Sequence, residues 1–222
     1  MIYLNKAVFK NFDIWLELFS IGMVLILGTL WWLEFNYFVS EQKALARRSQ
    51  PAKIIIVFGD SLTAGYGIGP ANNYVAVLQR KIGQPIIIAA KSGRATAEAL
   101  MALDKEVISR QPDIVIVMLG GNDFLQDTPK FALFNNLRQI ILKIKQTGAD
   151  AILVGIPAGF SDEYDRRFEE LAAETSSIYI PNILKGILGA KEVLWDQFHP
   201  NVEGHKIMAE RIHRALAPLF KK

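Results

Sequence analysis

Five apolar residues in succession, Ile54, Ile55, Ile56, Val57 and Phe58, end at Gly59, and the polar pair Asp60-Ser61 follows at once. An unbroken apolar run of this length reads as a strand buried on both faces, and such strands belong to parallel sheets. Glycines at 65, 67 and 69 keep the backbone after it thin and pliable. In open α/β sheets, chemistry sits in the crevice beyond the carboxyl ends of the strands. The run therefore delivers Ser61 to a place where a nucleophile is useful. A serine after a strand is, by itself, an ordinary turn residue, and its meaning depends on what the rest of the chain brings to it.

The pattern repeats along the chain. Asn72-Asn73 can cap a helix carrying Tyr74, Val75, Val77, Leu78 and Ile82, which Gly83 ends. Residues 85–90 (PIIIAA) read as a second strand, and Lys91-Ser92-Gly93 turns the chain into a helix striped by Leu100, Leu103 and Val107. Gln111-Pro112 breaks that helix. Residues 113–119 (DIVIVML) give a third strand, closed by the turn Gly120-Gly121-Asn122-Asp123. The next helix is expected to open with Thr128 as cap and Pro129 at its first position, with Phe134, Leu137, Ile141 and Ile144 as its stripe and Gly148 as its stop. Residues 151–156 form a fourth strand, 162–175 a charged, solvent-facing helix, and 177–180 a short fifth strand. A last helix after Asn201 buries Met208, Ile212, Leu216 and Leu219. Nearly all-apolar strands alternating with helices predict an α/β fold: a three-layer, doubly wound, flavodoxin-like α/β/α domain with about five parallel strands.

The 222-residue length suits one such domain plus an appendage, and the apolar excess within the 51% hydrophobic content gathers near the amino terminus. From Leu18 to Leu33 no charge occurs. Sixteen helical residues span roughly 24 Å, and neighbours from Ile14 to Leu16 and from Phe35 to Val39 extend the segment toward the ~30 Å of a hydrocarbon core. Glu17 and Glu34 then fall near the interfaces, with Trp31, Trp32 and Tyr37 as one aromatic belt and Trp15 as the other. No small-residue A-x-A cleavage site follows. Residues 1–40 are therefore expected to be a transmembrane anchor helix, 41–52 a polar linker ending near Pro51, and 53–222 the catalytic-sized domain. Lys6 and Lys10 on one side balance Lys43, Arg47 and Arg48 on the other, so the positive-inside rule leaves the orientation open.

Composition removes other classes. The chain has no cysteine, which excludes disulfides and thiolate metal centres, and with three histidines a zinc site is not expected. A net charge of +3 without a basic, aromatic-interleaved stripe argues against a nucleic-acid partner. Gly65 to Gly69 is not G-x-G-x-x-G and no GK[ST] follows a glycine loop, so neither a nucleotide nor any other cofactor is expected. No G-x-S-x-G elbow surrounds Ser61.

If the turns Gly59-Asp60-Ser61, Lys91-Ser92-Gly93 and Gly120-Gly121-Asn122-Asp123 converge with the late loop Asp196 to Pro200, every part of an acyl-transfer site is present. Ser61 would attack a carbonyl and needs a base. His205 and His213 fall within the last helix, whereas His199 precedes it in a loop pinned by Pro200, and Asp196 three residues earlier could hold its imidazole. The oxyanion needs preformed donors, for which the N–H groups of Ser61 and Gly93 and the side-chain amide of Asn122 are available. Each of Gly93, Asn122 and Asp196 has an ordinary reading, as helix-entry glycine, turn residue and surface carboxylate. Their joint occurrence at strand ends and in one late loop is harder to explain by accident.

Gly59-Asp60-Ser61-Leu62, Gly93, Gly121-Asn122-Asp123 and Asp196-Gln197-Phe198-His199 resemble the four blocks of the GDSL, or SGNH, hydrolases, most closely bacterial thioesterase I/lysophospholipase-like arylesterases. The likeness spans roughly residues 53–219. It implies a serine esterase for carboxylic esters or thioesters, with Ser61, His199 and Asp196 as triad and Ser61, Gly93 and Asn122 as oxyanion hole. It also favours the extracytoplasmic face of a bacterial inner membrane for the domain, and lipid-like ester substrates. The second block departs from the family pattern: Arg94 stands where an acid is usual, which bears on local electrostatics and substrate preference. The rival readings are an O-acetyl esterase of cell-envelope polysaccharide and a tethered, non-catalytic binding domain. The latter is disfavoured because no block is lost.

Overall fold

The computed structural model describes residues 22–39, 41–42, 53–157 and 162–220. The chain divides into two units, Met1–Pro51 and Ala52–Lys222, which are described separately.

In the first unit a helix, α1 (Gly22–Val39), runs for 18 residues with a mean hydropathy of 1.3 and none of it buried. A helix near an amino terminus with this length and composition serves either as a signal sequence or as an anchor. Trp31 stacks on Phe35 with ring centroids 5.5 Å apart. Trp15 and Glu17, expected at the opposite interface, and most of the linker lie outside the described residues.

The second unit is an α/β domain. Its elements are β1 (Ile55–Gly59), α2 (Ser61–Ala64), α3 (Tyr74–Ile82), β2 (Ile86–Ala90), α4 (Thr96–Glu106), β3 (Ile114–Met118), α5 (Gly121–Leu125), α6 (Lys130–Gln146), β4 (Asp150–Val154), α7 (Asp162–Thr175), β5 (Ile178–Ile180) and α8 (Val202–Leu216). The five strands are parallel in the order β2-β1-β3-β4-β5. The chain winds outward in both directions from β1 and β3, so the crevice at the switch point lies between their carboxyl ends.

Alternation along the central strands builds two cores. Ile56 and Phe58 of β1, with Val115 and Val117 of β3, pack under α4, α6 and α7, where Leu103, Leu137, Ile141 and Phe168 meet them. Ile55, Val57, Ile114 and Ile116 face the other way, onto Leu78 of α3 and Met208 and Ile212 of α8. Each such fully buried aliphatic or aromatic chain contributes about 1.5–3 kcal/mol.

Several local expectations need correction. Thr128 does not cap α6: Pro129 takes the cap position with ψ 130°, no side-chain cap bond forms, and the Thr128 N–H donates to the Asp123 carbonyl instead. The helix at 162–175 is not simply solvent-facing, because Tyr164, Phe168, Leu171 and Ala172 are buried along one side. Leu219 lies beyond α8 in a final 3-10 turn and is only partly buried. The turn after β3 is helical from Gly121 onward.

Candidate active site

Three turns close on one another at the carboxyl ends of β1, β2 and β3. A Cβ on Gly59 would come within 2.1 Å of Thr63 Oγ1 and 3.0 Å of the Met118 carbonyl, so only glycine lets the chain fold back there. Asp60 caps α2 by accepting from the Leu62 N–H at 3.0 Å, which makes Ser61 the first residue of that short helix. The Lys91 N–H donates to the Gly59 carbonyl at 3.3 Å and brings the 91–94 turn alongside. Gly93 there sits at φ +81°, a conformation that side chains other than glycine rarely adopt.

The loop carrying His199 is held from below. Leu194 and Pro200 form an antiparallel bridge, and the Trp195 N–H donates to the His199 carbonyl at 2.7 Å. Asn201 caps α8, accepting from Glu203 and Gly204, while its amide donates to the Glu192 carbonyl at 2.9 Å. Asp196 Oδ1 accepts from the N–H groups of Phe198 and His199, both at 2.8 Å.

From this base a line of polar contacts reaches Ser61. His199 Nδ1 lies 2.8 Å from Asp196 Oδ2, and His199 Nε2 lies 3.0 Å from Ser61 Oγ. The Tyr66 ring tilts against the imidazole at 4.7 Å between centroids. Burial pushes the Asp196 carboxyl upward, but the two backbone donors and the neighbouring imidazole outweigh it and hold the group below its ordinary value. His205 is enclosed instead: its Nδ1 accepts from the Tyr74 N–H at 3.0 Å, and desolvation, then the nearby His199, pushes it down to about 4. That histidine is structural.

Asn122 sits beside Ser61 at the pocket wall, and its amide is engaged twice. Nδ2 donates to Asp60 Oδ2 at 3.2 Å and to the Arg94 carbonyl at 3.1 Å. The Arg94 side chain, expected to colour the site, points away from it. Its guanidinium lies 5.3 Å from the Phe58 ring centroid and pairs with Glu106 at 2.9 Å. Only its backbone serves the site.

Two buried carboxylates stand in the family-like blocks but were given no role from the sequence. Asp123 receives the Thr96 N–H at 2.8 Å and the Thr96 hydroxyl at 2.6 Å, capping α4 in place of Ala95, which offers no side-chain cap. Asp60 is 2% exposed, and desolvation raises it to about 6, partly offset by the Leu62 N–H. The signal that could have found Asp60 is an ionisable residue set directly on the end of an all-apolar strand.

The Asp60 shift has a measurable sign. Its folded value lies above the 3.8 of the free carboxyl, so between those values the folded state holds the extra proton. Its contribution to stability is fully present below about pH 4 and is lost as pH rises through about 6. Against Asp60→Asn, the wild type should therefore lose about 2 kcal/mol of relative stability between pH 4 and pH 7. Urea unfolding of both proteins across that range checks it. A parallel pair of curves would mean that Asp60 titrates normally.

Beyond Ser61 opens a cavity of about 340 Å³ whose walls include Phe124, Leu125, Ile156, Leu184, Leu188 and Phe198. Among the described residues no group of three or more His, Asp or Glu side chains is placed to hold a metal ion.

At the carboxyl edge of a parallel sheet, a serine, a histidine and an aspartate in one line of hydrogen-bonding contacts form an arrangement able to carry out acyl transfer. The model of the GDSL-like Lipase/Acylhydrolase family matches residues 57–207, and the chain belongs to that family. It is similar to Esterase TesA of Pseudomonas aeruginosa, 27% identical over 188 residues that cover 79% of this chain and 94% of the relative. Thioesterase 1/protease 1/lysophospholipase L1 of Escherichia coli is 28% identical over 198 residues, covering 85% and 93%. Among solved structures, a crystal structure of TesA superimposes with a TM-score of 0.71 at 27% identity, over 75% of this chain and 99% of the other.

Proposed function

We propose that this chain is a membrane-anchored serine esterase that hydrolyses carboxylic esters or thioesters with apolar acyl groups through an acyl-enzyme. The observation that carries the reading is the Asp196–His199–Ser61 line of contacts, 2.8 and 3.0 Å long, at the mouth of an apolar cavity. His199 Nε2 takes the Ser61 proton as Oγ bonds to the substrate carbonyl carbon. The electron pair moves to the carbonyl oxygen, where the N–H groups of Ser61 and Gly93 and the Asn122 amide stabilise it. The imidazolium then protonates the departing alkoxide or thiolate. Water, deprotonated by the same imidazole, releases the carboxylic acid and restores Ser61. Asp196 orients the ring and stabilises its charged form.

The lipid-like preference rests on the aliphatic and aromatic cavity wall and on the similarity to relatives named esterase and lysophospholipase. In this reading residues 1–40 anchor the chain by a single span, 41–52 form a linker, and 53–222 are the hydrolase domain on the extracytoplasmic side of a bacterial inner membrane. Tethering keeps the domain near lipid-held substrate.

A panel of esters and thioesters graded by acyl length tests this. kcat/KM should rise by up to about fourfold per methylene until the cavity is full. Best activity on acetyl esters, with a fall beyond, would point to the O-acetyl esterase instead. A shortened chain starting at Gln50 should fold and keep the full-length rate on short soluble esters within about twofold, because the strands of the sheet all lie beyond it. Precipitation or loss of that activity would make the first forty residues part of the fold. Protease cleavage of the linker in intact spheroplasts decides the membrane side.

A further inference from the structure

We infer that Asp60 is a positioning residue that fixes the direction of the Asn122 amide, an inference that rests on Asn122 being an oxyanion donor. A primary amide is nearly symmetric in shape, and its terminal torsion is broad and roughly two-fold, so packing alone sets its orientation poorly. Chemistry must choose between the two faces. Here the two partners of Asn122 Nδ2 are a carboxylate oxygen and a backbone carbonyl. A carbonyl only accepts, and so does an ionised carboxylate. Turned over, the amide would set Oδ1 against both and lose two hydrogen bonds. With the Arg94 carbonyl as sole partner, a single bond would oppose that turn. Asp60 supplies the second.

The carboxylate is itself immobile. It is 2% exposed, its Oδ1 is engaged by the Leu62 N–H, and its Oδ2 packs against the start of α5, where a Cβ on Gly121 would lie 3.8 Å away. One carboxylate thus bridges the turn that carries Ser61 and the amide that faces it. Donor–acceptor separations of 3.1 and 3.2 Å are at the long end for N–H···O bonds. An oxyanion can therefore share an Asn122 hydrogen as charge develops. The raised carboxyl marks the energetic penalty that burial imposes at this position.

The bland alternative is that Asp60 does no more than cap α2. Asp60→Asn separates the two roles, because it keeps an acceptor for Leu62 but turns an NH2 toward the NH2 of Asn122. Asp60→Ser is the second variant: serine also caps well but is too short to reach the amide. Kinetics on a short soluble ester with the full chain, beside thermal unfolding, gives the readout. Both variants should unfold cooperatively and lose about a hundredfold in kcat, with KM within about threefold, as removal of an oxyanion donor does. Asn122→Ala should lose a similar amount, and Asp60→Asn/Asn122→Ala should fall within about threefold of Asn122→Ala alone, because the two residues act as one unit. Wild-type kcat in either Asp60 variant, or losses that multiply in the double variant, would overturn the inference and leave a cap. Normal kcat in Asn122→Ala would instead overturn the oxyanion assignment beneath it.

Discussion

Replacing Ser61 with alanine should abolish ester turnover, lowering kcat by at least about 10⁴-fold while leaving the fold and substrate binding nearly intact. The reason is local. The Ser61 hydroxyl is bound to His199 Nε2 at 3.0 Å, and the turn around it is held by other groups: the Asp60 cap, the close approach at Gly59 and the contact of Thr63 Oγ1 with the Tyr74 hydroxyl at 2.8 Å. Nothing structural is lost with the oxygen. On the proposed mechanism what disappears is the covalent route, and the remaining donors would stabilise only direct attack by water. Initial rates on a short chromogenic ester measure the effect, with thermal unfolding as the control. A Ser61→Ala protein that retains more than a few per cent of the wild-type rate would take the hydroxyl out of the chemistry.

His199→Ala should be nearly as severe, and Asp196→Asn about a hundredfold milder. In the proposed mechanism His199 accepts and returns a proton in each half of the cycle through Nε2, which lies 3.0 Å from Ser61 Oγ. In that mechanism Asp196 acts through the ring, its Oδ2 2.8 Å from His199 Nδ1. Its side chain is 40% exposed, so water screens its charge, and its Oδ1 is already engaged by two backbone N–H groups. Asparagine could keep those two bonds and the shape of the loop. It would lose the charge that favours the imidazolium and would offer Nδ1 a donor as readily as an acceptor. Paired measurements of kcat and kcat/KM for the two variants check the ranking. Equal losses would mean that Asp196 also shapes the loop that carries His199.

Much of this architecture was legible in the chain because the central strands are buried on both faces. β1 and β3 read as unbroken apolar runs and occupy the middle of the sheet, where each residue is fully enclosed. The edge strand β2 shows the limit of that signal, since Ile88 is equally apolar but 43% exposed. The element at 162–175 was legible as a helix, but its buried face was not: Tyr164, Phe168 and Leu171 recur at helical spacing beneath the charges, and the density of Asp, Glu and Arg masked them. α5 is too short, at five residues, for a period to show.

At the site, residue types were readable but partnerships were not. Ser61 and His199 stand 138 residues apart, and only the sheet order brings the end of β1 to the loop before α8. Arg94 illustrates the same gap. Standing where the family pattern usually has an acid, it suggested an effect on the electrostatics of the site, yet its long side chain found Phe58 and Glu106. Asp60 lay in plain view next to Ser61, but its link to Asn122, 62 residues away, exists only in the fold.

The central claim is that Ser61 forms a covalent bond to the substrate acyl group, and trapping with a fluorophosphonate tests it most directly. Peptide mass spectrometry of the labelled full-length protein should find one adduct, on Ser61, with activity lost in proportion to labelling and no adduct in Ser61→Ala. Labelling at another residue, or undiminished ester turnover after Ser61 is fully modified, would contradict the account.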